Sequence, residues 1–116
     1  MKITLFLILV TVLVMFLLSC KNQNHINEIP DGAFLVDVRT SEEYAKGSVS
    51  NSVNIPLDQI ENSLQKFESK KNIVVFCRSG NRSGKAKNIL NAKGFNNVIN
   101  GGSWKNVASK MTEENQ

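Results

Sequence analysis

Cys77 stands at the head of the run Cys77-Arg78-Ser79-Gly80-Asn81-Arg82-Ser83. A thiol attacks as its thiolate, and this run holds three things that favour the charged form. Successive backbone N–H groups in a tight turn point inward and form a concave nest for an anion. A helix that begins after the turn adds its unpaired N–H groups and the positive end of its dipole. Arg78 and Arg82 add two cations that do not titrate near neutral pH. Gly80 gives the turn the backbone freedom it needs. Taken alone, a cysteine at a strand end is more often inert packing. The glycine, the two arginines and the helix start shift the balance towards a nucleophile, ionised and open to solvent, that attracts an anionic substrate.

The elements that must hold this loop are read from hydrophobic spacing. Ile73-Val74-Val75-Phe76 is a continuous apolar run, as expected of a strand buried on both faces, and it delivers Cys77 at its end. Phe34 to Val38 is a second such run, and Ser52 to Ile55 a third, stopped by Pro56. Thr40 and Glu43 have capping-box spacing, so a short helix starts there and ends near Gly47. Leu57, Ile60, Leu64 and Phe67 repeat at helical spacing. Ala86, Ile89 and Leu90 give a helical stripe from Ser83 to Lys93, with Gly94 in place to stop it. Asn97 to Ile99 is a last strand, after which Gly101-Gly102 turns the chain into a closing helix with Trp104, Val107 and Met111. Strand and helix alternate with short links, which implies an α/β fold with a mostly parallel sheet. Reactive loops in such folds lie beyond the carboxyl ends of the strands, where Cys77 falls.

The chain of 116 residues has room for one domain. Its start differs from the rest. After Met1-Lys2, Ile3 to Leu18 is apolar except for Thr4 and Thr11. As a helix this stretch reaches about 24 Å at ~1.5 Å per residue, short of the ~30 Å bilayer core and suited to a signal segment. Leu17-Leu18-Ser19-Cys20 resembles the lipobox of bacterial lipoproteins, in which the cysteine is acylated and the preceding peptide removed. The alternative is an uncleaved anchor with an incidental cysteine. On the lipobox reading, residues 1–19 are a signal peptide and 20–27 the lipidated end and polar tether. A folded domain then occupies 28–112, with a polar tail at 113–116. The location would be a bacterial cell envelope, held to a membrane by lipid on Cys20 and facing the periplasm or exterior. A mature chain starting at Cys20 keeps 13 basic and 10 acidic side chains. That excess is modest and spread out, so nucleic acid is not an expected partner. With Cys20 acylated, Cys77 has no disulfide partner in the chain, and a lone thiol outside the cytoplasm calls for a chemical explanation.

Four segments in order and at matching spacing make the chain resemble the rhodanese family. Asp37-Val38-Arg39 with Glu43-Tyr44 is similar to its Asp-x-Arg…Glu-aromatic signature. Gly47-Ser48-Val49 through Val53-Asn54-Ile55-Pro56-Leu57 is similar to its Gly-His-Ile…Asn-Ile-Pro segment. Ile73 to Ser83 is similar to its strand and active-site loop, and Gly101-Gly102-Ser103-Trp104 to its final Gly-Gly…Trp element. The resemblance runs over about residues 29 to 108. Ser48 replaces the family's usual histidine, and Asn51-Ser52 its Gly-Ala pair; these touch the shape of the pocket rather than the nucleophile.

The resemblance implies a rhodanese-like sheet of about five short strands flanked by helices, and a two-stage sulfur transfer. Cys77 would take the outer sulfur of a small anionic donor such as thiosulfate as a persulfide, then pass it to cyanide, a thiol or a protein acceptor. The amides from Arg78 to Ser83 would hold the terminal sulfur. Arg82, with Arg78 beside it, would bind the sulfonate end. No cofactor or metal is required, and His25 in the tether is incidental. Asp37 and Arg39 read as an internal ion pair that supports the loop, more than as groups that bind the donor. Trp104 either walls the pocket or fills the core. Glu43 reads as a cap, not an acid. Two rivals differ in class. Phosphatases and arsenate reductases of related fold use a Cys-x5-Arg loop, whereas here the arginine comes one place sooner, at Arg82. A docking module without turnover would not need the cysteine that this chain keeps; a milder form, a sulfur relay with little thiosulfate turnover, remains open.

Overall fold

A computed structural model describes residues 2–19 and 28–113, with side chains described for 2–16 and 28–111. Cys20, the expected tether and His25 lie outside the described residues. Helix α1 (Lys2–Ser19) carries only exposed side chains where these are described. Among the described residues no helix is long and apolar enough to cross a membrane.

The sheet contains β1 (Phe34–Asp37), β2 (Val53–Asn54), β3 (Ile73–Cys77) and β4 (Val98–Ser103), all parallel, in the order β2-β1-β3-β4. Four strands form where about five were expected. The segment ahead of β1 is a turn, closed by Ala33 N–H on the Pro30 carbonyl. Pro30 has no N–H to give to a ladder. All five residues of β3 are buried, as its unbroken apolar run requires. Their side chains alternate between two cores. Ile73, Val75 and Cys77 pack on one side with Val36, Ile60, Phe67, Ala86 and Leu90, under α3 (Asn81–Ala92). Val74 and Phe76 pack on the other with Ile29, Leu35, Val49 and Val107, under α4 (Trp104–Glu113).

The order of the strands decides where a ligand belongs. After β1 the chain moves outward to β2, and after β3 it moves the other way to β4. The connections therefore part between β1 and β3, leaving a crevice at the carboxyl ends of those strands. Asp37 ends β1 and Cys77 ends β3, so both flank it.

Three elements depart from the sequence reading. Residues 57–67 form two 3-10 segments, Leu57–Gln59 and Glu61–Phe67, the second kinked at Ser63 (φ −125°), instead of one helix. The apolar spacing still buries Ile60 and Phe67, and Phe67 meets Phe34 and Phe95 edge-on. Helix α3 begins at Asn81, two residues ahead of expectation, because left-handed Gly80 (φ 97°) turns straight into it. Strand β4 runs on through Gly101-Gly102, which were expected to form a turn. Its register shifts between Val75 and Phe76, so Val75 faces Asn100 and Phe76 faces Gly102. Gly101 is the extra residue of this bulge. A Cβ there would sit 2.7 Å from Val107 Cγ2 and 3.0 Å from Val74 Cγ1, so only glycine fits beneath α4.

Candidate active site

The end of β3 and the start of α3 bring the Cys77 sulfur into a cup. Gly80 N–H donates to Sγ at 3.0 Å, and Ser83 Oγ lies 3.4 Å away. The cup closes tightly because Gly80 passes Gly102: a Cβ on Gly80 would lie 3.3 Å from Gly102 Cα, in a conformation side chains rarely adopt. Burial pushes the Cys77 thiol up. The Ser83 hydroxyl and the N–H groups of Ser83, Ser79 and Gly80 together outweigh it, and hold the thiol below its ordinary value. The sulfur was expected ionised and open. Ionisation is eased, but Cys77 is only 1% exposed. The turn folds over the sulfur, which lies at the bottom of a cup of N–H groups.

The two arginines play unequal parts. Arg82 was expected to face the donor, and its guanidinium is already held: Nη1 and Nη2 donate to Glu43 Oε1 and Oε2 at 2.6 and 3.0 Å. That partner, the Cys77 sulfur and Asp37 all favour the charged Arg82. Arg82 in turn is the main reason the Glu43 carboxyl falls to about 2. Glu43 is also the expected cap of α2 (Ser41–Ala45), in a complete capping box with Thr40. Arg78 and Ser79 are exposed on the turn, and Asn81 is exposed at the start of α3. Hydroxyl and amides, rather than guanidinium charge, lead the stabilisation of the thiolate.

Beneath the crevice, Asp37 and Arg39 form the internal pair that the sequence suggested. Arg39 Nη2 meets Asp37 Oδ2 at 2.7 Å, with the Asp37 side chain fully buried and that of Arg39 6% exposed. Arg39 also donates Nη2–H to the Gly47 carbonyl, and its backbone N–H to Asp37 Oδ1. Ser48, where the family has histidine, donates to Asp37 Oδ2 at 2.6 Å and lies 3.3 Å from Ser52 Oγ. The two departures from the family pattern thus touch each other. Trp104 takes both of the roles left open. It packs on the second core, and it walls a groove of about 390 Å³ with Arg39, Glu43, Lys46, Arg78 and Lys105. The Arg39 guanidinium lies 5.1 Å from the Trp104 ring centre.

Three residues of the site were not found from sequence. Lys46 and Lys105 border the groove, and no motif sets them apart in the sequence. Asn100 is the more consequential. Its Oδ1 accepts from Ser83 Oγ at 2.7 Å and from Gly102 N at 3.0 Å, and its Nδ2 donates to the Gly80 carbonyl at 3.1 Å. The available signal was an asparagine inside a strand, a residue that sheets disfavour unless its amide is used.

The family described as the rhodanese-like domain matches residues 21–110. The thiosulfate sulfurtransferase PspE of Escherichia coli is 36% identical over 75 residues, covering 63% of this chain and 72% of that protein. The rhodanese domain-containing protein CG4456 of Drosophila melanogaster is 38% identical over 96 residues, covering 70% and 86%. A solved structure of a rhodanese with anions from E. coli overlays with a TM-score of 0.60 at 35% identity, covering 66% of this chain and 92% of the other.

Proposed function

The chain belongs to the rhodanese-like domain family, its relatives support sulfur transfer in general, and we propose that it moves a sulfane sulfur through a persulfide on Cys77. The observation that carries this is the cup: a recessed sulfur with Gly80 N–H at 3.0 Å and Ser83 Oγ at 3.4 Å. In the first stage the thiolate attacks the outer sulfur of a donor such as thiosulfate. The donor's S–S bond breaks and sulfite leaves with the electron pair. The new terminal sulfur carries the negative charge, which inward N–H groups accommodate as they did the thiolate. In the second stage a cyanide ion or a thiol takes that sulfur and returns Cys77 to thiolate. The groove above, with Arg39, Lys46, Arg78 and Lys105 against the single carboxylate of Glu43, suits an anionic reactant.

The full chain treated with thiosulfate should gain the mass of one sulfur atom, and Cys77→Ser should gain none. Turnover of an aryl phosphate with no sulfur adduct would replace this reading by a phosphatase. The short loop, with its arginine at Arg82, suits a single sulfur better than a tetrahedral phosphate. A second reading, a relay to a protein acceptor with little thiosulfate turnover, is favoured by the hold of Glu43 on Arg82. In that case persulfide added from another donor persists until a partner thiol removes it.

The same proposal places the domain at a bacterial envelope membrane, through lipid on Cys20. It is supported by α1, whose exposed Ile3, Leu5, Phe6 and Leu9 need an apolar surrounding. An alkynyl fatty acid fed to producing cells should label the chain and not Cys20→Ser; equal labelling of both removes the anchor.

A further inference from the structure

We propose that Asn100 is a positioning residue that sets how readily Cys77 ionises, by competing with the sulfur for the one proton of the Ser83 hydroxyl. Ser83 Oγ sits between two acceptors, Asn100 Oδ1 at 2.7 Å and Cys77 Sγ at 3.4 Å. A hydroxyl has one proton to donate. With Cys77 protonated, S–H donates to Ser83 Oγ and Ser83 donates onward to Asn100, so each group is satisfied. When Cys77 ionises, its proton passes to solvent and the sulfur becomes an acceptor only. Ser83 must then turn from Asn100 to the sulfur for the thiolate to gain that bond. Asn100 Oδ1 keeps the Gly102 N–H at 3.0 Å, so the turn strands no buried atom. The bulge at Gly101 makes this possible, because it aims Asn100 at the loop and brings the Gly102 amide behind it.

Asn100 has an opposing effect through its other end. Nδ2 ties down the Gly80 carbonyl at 3.1 Å, and Gly80 gives the sulfur its N–H. One side chain therefore both builds the cup and restrains its hydroxyl. The charged groups around the sulfur are Arg82 on α3 with Glu43 on α2, Arg78 in the loop, and Asp37 at the end of β1 with Arg39 just after it. Lys105 borders the groove at α4, and Lys85 and Lys87 line a separate hollow with Asn100. None of these contacts changes when the hydroxyl turns.

The inference rests on Cys77 as the reactive thiol, but its test uses no sulfur donor, so it stands or falls apart from sulfur transfer. The thiolate of the full chain is titrated by ultraviolet absorbance and by the pH dependence of alkylation, with Cys77→Ser as the blank. Asn100→Leu and Asn100→Asp are each made with Ser83 present and with Ser83→Ala. Leucine removes the competing acceptor, so its Ser83-dependent share should lower the Cys77 midpoint by about one pH unit, a ten-fold change in ionisation. Aspartate competes more strongly, so its Ser83-dependent share should raise the midpoint. Opposite signs that vanish without Ser83 support the proposal. Shifts of equal size with and without Ser83, or of the same sign for both variants, overturn it. Should Asn100→Leu fail to fold, the aspartate pair decides alone, by whether its rise shrinks in Ser83→Ala.

Discussion

Two ion pairs lie within the same crevice and are built to opposite ends. Asp37–Arg39 is sealed, with side chains 0% and 6% exposed, and every polar atom of the carboxylate is met by Arg39, Ser48 or backbone. Glu43–Arg82 is about one-third exposed on both sides, at 31% and 34%. A sealed pair contributes little over an apolar substitute, but breaking it leaves a buried charge. An open pair contributes little either way, and solvent or an incoming anion replaces a partner cheaply. The first pair is framework. The second is one that a substrate can borrow from.

That contrast is sharpened, or broken, by three variants. The largest effect belongs to Asp37→Asn, which keeps the shape and leaves the Arg39 guanidinium uncompensated. It should lower unfolding stability in urea by ~3–5 kcal/mol. Loss of under 1 kcal/mol would make the two pairs alike. Next is Arg82→Ala, which should leave stability within ~1 kcal/mol and lower kcat/KM for thiosulfate through ~1.5–3 kcal/mol of charged hydrogen bonding. Unchanged kinetics would mean that Arg82 serves Glu43 alone. The smallest belongs to Glu43→Gln, which keeps a capping residue and frees the guanidinium. It should raise kcat/KM for thiosulfate a few-fold and cost ~1 kcal/mol or less at neutral pH. The folded Glu43 carboxyl is lowered from 4.5 to about 2. Its contribution is therefore complete above the unfolded value and fades as pH falls towards the folded one. Wild type and Glu43→Gln should differ in stability at neutral pH and converge near the acid end; a constant gap would deny the depressed carboxyl.

What the sequence made legible was local. The loop could be read because seven consecutive residues carry it, and the strands because buried parallel strands need unbroken apolar runs. The cap of Thr40 by Glu43 spans three positions and was likewise visible. Contacts across the fold were not. Arg82 meets Glu43 from 39 positions away, so the group expected to bind the donor has a second partner that its local sequence does not announce. Asn100 reaches Gly80 and Ser83 from 20 and 17 positions away. Gly101-Gly102 read as a turn because glycine permits turns, whereas Gly101 is required here by the closeness of Val107 and Val74. The depth of the sulfur was also hidden, since residue types do not say how far a turn folds over its own first member.

Glu43 Oε1 takes three donors at once: Arg82 Nη1 at 2.6 Å, Thr40 Oγ1 at 3.1 Å and Thr40 N at 3.3 Å. An anion that draws Arg82 towards the loop relaxes the shortest of these and returns the oxygen to Thr40. The first turn of α2, which holds Glu43, then tightens around its own cap. Its backbone amides thereby become a remote gauge of whether the sulfur cup is filled.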